Sequence, residues 1–371
     1  MFSSFGNNLK VMIYGGSHEP EIGVIIDGLP AGTEFDMDLL QQFLDRRAPG
    51  NSPFATPRKE PDTVIPQDGL KIEGCRATVT DRTIKLIIKN TNTRSQDYKN
   101  LRDVPRPGHA DYTAFVKYGR ELNMAGGGPF SARMTAPLCI AGGIALQLLR
   151  QKGIEIGAHI YSVGDISDTP VDPVEPNLPW GSGMAVSTES AAPDFPVIDS
   201  DAGNRMQELI LKAKEDGDSI GGIVEVFAAG VPAGIGGPMY EGVEGALAPV
   251  FFGIPAVKGI EFGAGFSASR MKGSENNDPF RISDGRVITE TNNHGGILGG
   301  ITSGMPVIAR LAFKPTPSIS KEQKSVSLSR MTNETLSIEG RHDPCVVLRA
   351  VPVCEAAMAI GLLDMLLEDH R

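Results

Sequence analysis

The sequence predicts an α+β fold, and three observations carry that prediction. Helix-like and strand-like segments come in mixed order, without the regular alternation of a doubly wound parallel sheet. Residues 131–152 are apolar all round, the mark of a helix buried among other elements. Glycine (44) and proline (27) together make about a fifth of the 371 residues, with 40 % hydrophobic and 22 % charged residues. That composition describes a folded chain with many tight turns and ordered loops, below the level of low-complexity disorder.

Taken in order, residues 23–27 (GVIID) are an apolar run ended by Gly28 and read as a strand. A helix is expected over 36–47. Met37, Leu40, Phe43 and Leu44 share one face at helical spacing, Asp36 suits the N-cap, and Pro49-Gly50 stops it. Residues 85–89 (KLIIK) read as a strand. The strongest helical signal, 131–152, follows three glycines, ends before Gly153 and is nearly uncharged between Arg133 and Arg150. Pro137 fits in its first turns, where a missing N–H matters least. Further helices are expected near 204–215 and 355–368, and further strands over 154–160, 223–228, 307–313 and 346–351. Residues 165–200 contain Pro170, Pro173, Pro176, Pro179, Pro193 and Pro196 and read as an irregular surface loop, a lid or a subunit contact. No linker or repeat divides the chain, so a single domain over 1–371 is expected.

Charge and cysteine usage remove several classes. With 35 basic and 45 acidic side chains the net charge is −10, which argues against a dedicated nucleic-acid binder. No run of about 18 uninterrupted apolar residues is present, so no membrane-crossing helix is expected. Residues 1–10 lack the basic start and apolar stretch of a signal peptide. Cys75, Cys139, Cys345 and Cys354 are widely spaced without a C-x-x-C pair. Neither a zinc site nor a disulfide framework is expected, and reduced thiols in a cytoplasmic protein are the simple reading.

Six histidines are present. His159 lies in a strand-like run and His370 at the terminus, and both read as structural or surface residues. His294 lies among glycines. His18 (G-G-S-H-E-P), His109 (R-P-G-H-A-D) and His342 (G-R-H-D-P) sit in polar, turn-rich segments, two of them flanked by Arg and Asp, where imidazole suits proton transfer near neutral pH. Arginines gather in the same places. Arg46 and Arg47 end the first helix, where a bland reading is complementing the helix dipole. Arg106, Arg133 and Arg341 lie at further junctions. Arg133 opens an apolar helix, a costly place for a charge unless it faces an anion or an acid. Such a set suits a ligand bearing phosphate and carboxylates. The turn Gly126-Gly127-Gly128 feeding a helix can cradle an anion. Residues 313–318 (FKPTPS) join a cation and two hydroxyls after a strand, which is either an ordinary strand exit or a phosphate or flavin clamp. Residues 263–268 loosely fit a dinucleotide fingerprint, but no strand–turn–helix unit is expected around them.

As a set the motifs resemble the chorismate synthase family along essentially the whole chain. They are S-F-G-N near the start, G-G-S-H (15–18), D-R-R-A-P-G (45–50), T-P-R-K-E-P-D (56–62), N-T-R-S-Q-D-Y (92–98), R-P-G-H-A-D-Y (106–112) and G-G-G-P-F-S-A-R (126–133). They continue with G-D-S-I-G-G (217–222), A-V-K-G-I-E-F-G-A-G-F (256–266), N-H-G-G-I-L-G-G-I-T-S-G (293–304), F-K-P-T-P-S-I (313–319) and G-R-H-D-P-C-V (340–346). The resemblance implies a β-α-β sandwich, with central helices between two mainly antiparallel sheets, assembled as a homotetramer. It implies a lyase that converts 5-enolpyruvylshikimate 3-phosphate to chorismate and phosphate by a 1,4-elimination, without net redox change but with reduced FMN. NAD(P)H bound to this chain and an outside reductant both stay open as the source of flavin reduction. The resemblance makes His18 the proton donor to the departing phosphate, places His109 against the reduced flavin, and makes Asp343 the acid that helps remove the substrate proton. Arg47, Arg106, Arg133 and Arg341 match anion-holding positions. Ser131, Ala256, Gly299, Lys314, Pro315, Thr316, Pro317, Ser318 and Arg341 match flavin-binding positions.

The chain also departs from the family pattern. Gly16 stands where the family has Glu in G-E-S-H-G, and Glu19 stands for its second Gly. Pro129 and Phe130 replace Arg and Ser after the triple glycine, Met134 replaces a Glu, and Pro53 replaces a second arginine. The alternative reading is therefore a catalytically weakened paralogue that binds flavin or a phosphorylated acid.

Overall fold

The computed structural model describes residues 2–48, 53–54, 61–90, 103–181, 193–338 and 342–368. The chain up to Lys89 holds eight strands among its described residues: β1 (Phe2–Phe5), β2 (Lys10–Gly15), β3 (Glu21–Asp27), β4 (Glu34–Asp36), β5 (Ile65–Asp68), β6 (Leu70–Glu73), β7 (Arg76–Val79) and β8 (Thr83–Lys89). Among the described residues, five of them form an antiparallel sheet in the order β1-β2-β3-β8-β5, and β4-β7-β6 form a smaller one. The expected strands over 23–27 and 85–89 are β3 and β8, paired with Ile25 opposite Lys85.

The second half adds β9 (Glu155–Val163), β10 (Ile166–Ser167), β11 (Gly222–Ala229) and β12 (Val257–Phe262). Two hairpins follow, β13 (Phe280–Ser283) with β14 (Arg286–Thr289) and β15 (Ile297–Leu298) with β16 (Ile301–Thr302). Then come β17 (Val307–Phe313) and the hairpin of β18 (Gln323–Ser327) and β19 (Thr332–Leu336). The second antiparallel sheet has the order β10-β9-β11-β17-β12.

The α-helices among the described residues are α1 (Met37–Arg47), α2 (Asp111–Tyr118), α3 (Thr135–Gln151), α4 (Ser200–Glu215), α5 (Val243–Phe252), α6 (Gly273–Asn276) and α7 (Val347–Glu368). α3 and α7 pack on each other between the sheets. α3 lies on β3 and β8, and α7 on β9 and β11. This is the α+β sandwich with central helices. One apolar cluster runs from Ile22 and Ile84 through Ile140 and Ile360 to Val224 and Leu311.

The local signals act as the residues dictate. Asp36 caps α1, accepting from the N–H groups of Asp38 at 2.8 Å and Leu39 at 2.9 Å. Arg46 reaches across to α7, where buried Glu355 takes its guanidinium at 2.7 and 3.0 Å. Glu355 also accepts from the Ala158 N–H on β9 at 3.2 Å, so one carboxylate ties two helices to a sheet.

Three expectations need correction. Residues 346–351 are not a strand; from Val347 onward they are the opening turns of α7. The β-branched run before Pro352 reads as extended. Burial of Val347, Val351 and Val353 in the core outweighs the hydrogen bond lost at that proline. Ser131 is not helical but caps a 3₁₀ turn (Ala132–Met134) that precedes α3. Finally, Ala132–Gln151 and Val347–Leu367 are long and apolar enough to cross a membrane by length and composition; 89 % of each window is buried between the sheets.

The proline-rich stretch is irregular over its described residues 168–181 and 193–199. Its Val171, Leu178 and Trp180 cover Phe227 and Ile308 on the outer face of the second sheet. Beneath them lies His159, fully buried, bonded to Asp168 at Nδ1 and to Glu225 at Nε2, each at 2.9 Å. Burial alone would lower its pKa, but the bonds to Asp168 and Glu225 outweigh that and raise it. The structural reading of His159 holds.

Candidate active site

A cavity of about 400 Å³ lies where the N-terminal ends of α3 and α7 meet the loops after β17 and before α2. Helix N-termini favour anions. Among the described residues its lining carries five cationic side chains, Arg47, Arg106, Arg133, Lys314 and Arg349, and one carboxylate, Asp343. Ile254, Phe313, Val346, Val353 and Phe130 supply apolar wall. Arg341 lies outside the described residues.

Each arginine is held by an acid. Arg47, 1 % exposed at the end of α1, and Arg133, in the turn before α3, both donate to Asp62, which is 0 % exposed. Burial would raise the pKa of Asp62, but the two guanidinium groups outweigh burial and hold it below the usual carboxylate value. Arg106 grips Asp111 through Nε at 2.7 Å and through its terminal nitrogen at 2.8 Å, and also donates to Ser318 Oγ at 3.2 Å. Arg349 donates to Asp343 at 2.8 Å.

His109 lines the cavity, and its Nδ1 lies 2.7 Å from Asp111 Oδ1. Burial pulls its pKa down, Asp111 pushes it up, and Arg106 adds to the lowering; the net shift is downward. That direction favours the neutral imidazole. Nδ1 also lies 3.1 Å from an Arg106 terminal nitrogen, but the shorter contact to the Asp111 carboxylate favours the proton on Nδ1, which leaves Nε2 as an acceptor. His18, on the turn between β2 and β3, is not itself part of the lining. Its Nδ1 lies 3.2 Å from Ser17 Oγ. Gly126, Gly127 and Gly128 all have positive φ (62°, 93° and 52°). A Cβ at Gly126 would come within 2.3 Å of the His18 ring, so glycine is what lets this turn close over the imidazole. A Cβ at Gly127 would lie 3.2 Å from His109 Nε2, so one turn touches both histidines.

Other candidate residues fall as follows. Ser131, Ala256, Lys314, Thr316, Pro317 and Ser318 line the cavity, whereas Pro315 does not, although its neighbours do. Gly299 sits exposed at the tip of the β15–β16 hairpin, outside the lining. Ala256 adopts φ 75°, and its carbonyl accepts from the Lys314 N–H at 3.0 Å. Phe130, one of the departures, forms wall, and Met134, another, is buried. The Glu19 carboxylate folds back over Gly16: a Cβ there would lie 3.4 Å from Oε1. The acid that moved past His18 in sequence thus returns to the space beside Gly16.

Asp62, Asp111 and Arg349 were missed as functional residues. Asp62 and Asp111 stand inside motifs that were singled out, and the signal was an acid beside arginines that would otherwise be buried unpaired. Arg349 was hidden in the run read as a strand. The 263–268 stretch does follow a strand, β12. What comes next is an exposed 3₁₀ segment (Gly265–Arg270), and the sheet is antiparallel, so no dinucleotide-binding βαβ unit forms.

The donor set fits a phosphorylated planar cofactor beside a polyanion. Burial, then Lys258, lowers the pKa of Lys314, a cation poorly compensated by its own surroundings. Thr316 Oγ1 is buried without a hydrogen-bond partner among the described residues.

An α+β sandwich whose cationic cavity is lined by His109, His342 and a tethered carboxylate suits a small phosphorylated acid as ligand. Comparisons with known proteins specify it. The chorismate synthase family model matches residues 9–367. The chorismate synthase of Lancefieldella parvula is 45 % identical over 99 % of this chain and 96 % of its own length. That of Korarchaeum cryptofilum is 40 % identical over 99 % and 98 %, and that of Thermococcus gammatolerans 44 % over 98 % and 97 %. A crystal structure of chorismate synthase superposes with a TM-score of 0.71 at 27 % identity, covering 98 % of this chain and 93 % of that one. The chain belongs to the chorismate synthase family, whose members catalyse the final, flavin-dependent step of the shikimate pathway on a small phosphorylated substrate.

Proposed function

We propose that this chain is an active carbon–oxygen lyase (EC 4.2.3.5) that performs its family's elimination in the cavity between α3 and α7. The observation that carries this reading is the convergence of five cationic side chains with His109 and Asp343. Arg47, Arg133 and Arg106 bind the substrate's phosphate and carboxylates. Lys314, Thr316 and Ser318, with Ser131 and Ala256, hold FMN. Reduced FMN, when bound, supplies electron density to the substrate as its C–O bond breaks. Asp343, oriented by Arg349, takes the substrate proton. His18, pressed against Gly126, gives a proton to the leaving phosphate. His109, fixed by Asp111 as the Nδ1–H tautomer, presents Nε2 as an acceptor. The apolar wall of Ile254, Phe313, Val346 and Val353 limits water. The products are chorismate and phosphate, with no net oxidation. The chain works as a single domain, in the cytoplasm, as a homotetramer.

The test is an anaerobic assay with 5-enolpyruvylshikimate 3-phosphate and chemically reduced FMN, using the unaltered protein, His18→Ala and His109→Ala. Chorismate from the unaltered protein, with rates lowered by about 10²-fold or more in both variants, supports the reading. FMN binding without product would establish the weakened paralogue instead. Replacing the chemical reductant by NAD(P)H shows whether the chain reduces its own flavin.

A further inference from the structure

Asp62 is neither part of the cavity lining nor exposed, yet its two carboxylate oxygens are divided between two cavity arginines. Oδ2 accepts from Arg47 and Oδ1 from Arg133. Those arginines come from different elements, the last turn of α1 and the 3₁₀ turn that opens α3. Each guanidinium has a second anchor. Arg47 Nε donates to Thr135 Oγ1 at 3.1 Å, and Arg133 Nε donates to Asn90 Oδ1 at 3.2 Å. Asp62 is itself placed from α1, since its carbonyl accepts from Gln41 Nε2 at 3.2 Å.

Two buried guanidinium groups that line the cavity share this carboxylate. Guanidinium groups presented at a cavity wall suit an anionic ligand that can take bidentate hydrogen bonds. A carboxylate meant only to neutralise would serve one arginine in bidentate fashion, as Asp111 serves Arg106. Asp62 instead spreads its oxygens across two and sets their separation and direction.

We propose that Asp62 is a positioning residue that holds Arg47 and Arg133 side by side as a two-pronged clamp for a single phosphate group. This rests on the reading of the cavity as the substrate and flavin site, and either ligand could supply that phosphate. Guanidinium groups misplaced by a fraction of an ångström lose bidentate geometry, and affinity falls before folding does.

The experiment compares the unaltered protein with Asp62→Asn and Asp62→Glu. It measures the Kd for 5-enolpyruvylshikimate 3-phosphate and for FMN by calorimetry, with KM, kcat and melting temperature alongside. Asp62→Asn is expected to raise the Kd and KM of the phosphate-bearing ligand by roughly tenfold to a hundredfold, with a smaller change in kcat. Asp62→Glu keeps the buried charge, and so the fold, but displaces the oxygens by one methylene. It is expected to melt near the unaltered protein and still weaken binding by roughly threefold to tenfold. A rise for substrate assigns the clamp to the substrate phosphate, and a rise for FMN alone assigns it to the flavin phosphate. The proposal is overturned if Asp62→Glu binds both ligands like the unaltered protein. It is equally overturned if Asp62→Asn lowers only the melting temperature, or tightens binding as a mere counter-charge would. Turnover by the unaltered protein tests the functional reading separately, because the affinity ratios are read without catalysis.

Discussion

Asp111 makes His109 a one-sided imidazole. Its Oδ1 lies 2.7 Å from Nδ1, while both its oxygens also grip Arg106. Replacing Asp111 by Asn removes the anion that raises the His109 pKa and leaves Arg106, which lowers it. The pKa of His109 should therefore fall further, and any acid limb of kcat that reflects protonation of this histidine should move to lower pH. The amide also offers a donor where Nδ1–H needs an acceptor, so the wrong tautomer is favoured and kcat should drop on the order of 10²-fold or more. The pH profile of kcat for Asp111→Asn checks both signs. An acid limb shifted to higher pH would contradict the account. At this scale the sequence was informative about residue types and less so about pairings. Arginine in an apolar setting announces a need for a counter-charge, but which acid supplies it depends on chain reversals that bring Asp62 to α1 and α3.

The central helices are shaped by missing side chains. A Cβ at Gly142 of α3 would lie 2.1 Å from the Ala356 Cβ of α7, with α7 backbone behind it. A Cβ at Gly143 would meet Leu40 Cδ1 at 2.7 Å and Phe43 Cδ1 at 3.0 Å, the ends of movable side chains. Gly142→Ala should thus destabilise by more than Gly143→Ala, with about 1–3 kcal/mol typical of such overpacking and the former at or above the upper end. Urea unfolding midpoints rank the two. On the outer face of the second sheet, His159 holds Asp168 in the proline-rich stretch against Glu225 on β11. Arg310 shares the site through a 2.8 Å bond to Glu225 and lies 4.3 Å over the Tyr161 ring, with Glu261 at 3.6 Å. The His159 pKa is raised, so its contribution is full below the ordinary value of 6.5 and is lost as pH rises through the folded value. His159→Gln should cost about 3–5 kcal/mol at pH 6, because buried Asp168 loses its cation and buried Glu225 is left with Arg310 alone. The loss of melting temperature should shrink at alkaline pH. An equal loss at every pH would show that the proton on His159 does not matter. Elements with strong periodicity, such as α1 and β17, were legible from sequence. The opening of α7 was not, because β-branched residues before a proline are extended in isolation and helical only under the burial imposed by both sheets.

For the molecule as a whole, the sandwich order follows from two helices too apolar to face water on any side. The assignment of strands to two antiparallel sheets rests on long-range pairings, such as β3 with β8 and β11 with β17, that local pattern does not encode. The net charge of −10 and the cationic cavity are compatible because acids are abundant overall while arginines are concentrated at helix ends and loops. Raising salt should weaken substrate binding only modestly, since the contacts are buried and paired rather than exposed. A steep salt dependence of KM would place the arginines in solvent. The motif set identified the family, and the departures at Gly16, Glu19, Pro129 and Phe130 leave His18, His109 and the tethered arginines in place. The most direct measurement of the central claim is a single anaerobic turnover that follows chorismate, phosphate and flavin oxidation state together. One phosphate should be released per chorismate formed, with the flavin still fully reduced at the end. Flavin oxidised in step with product, or flavin bound while neither product appears, would contradict it.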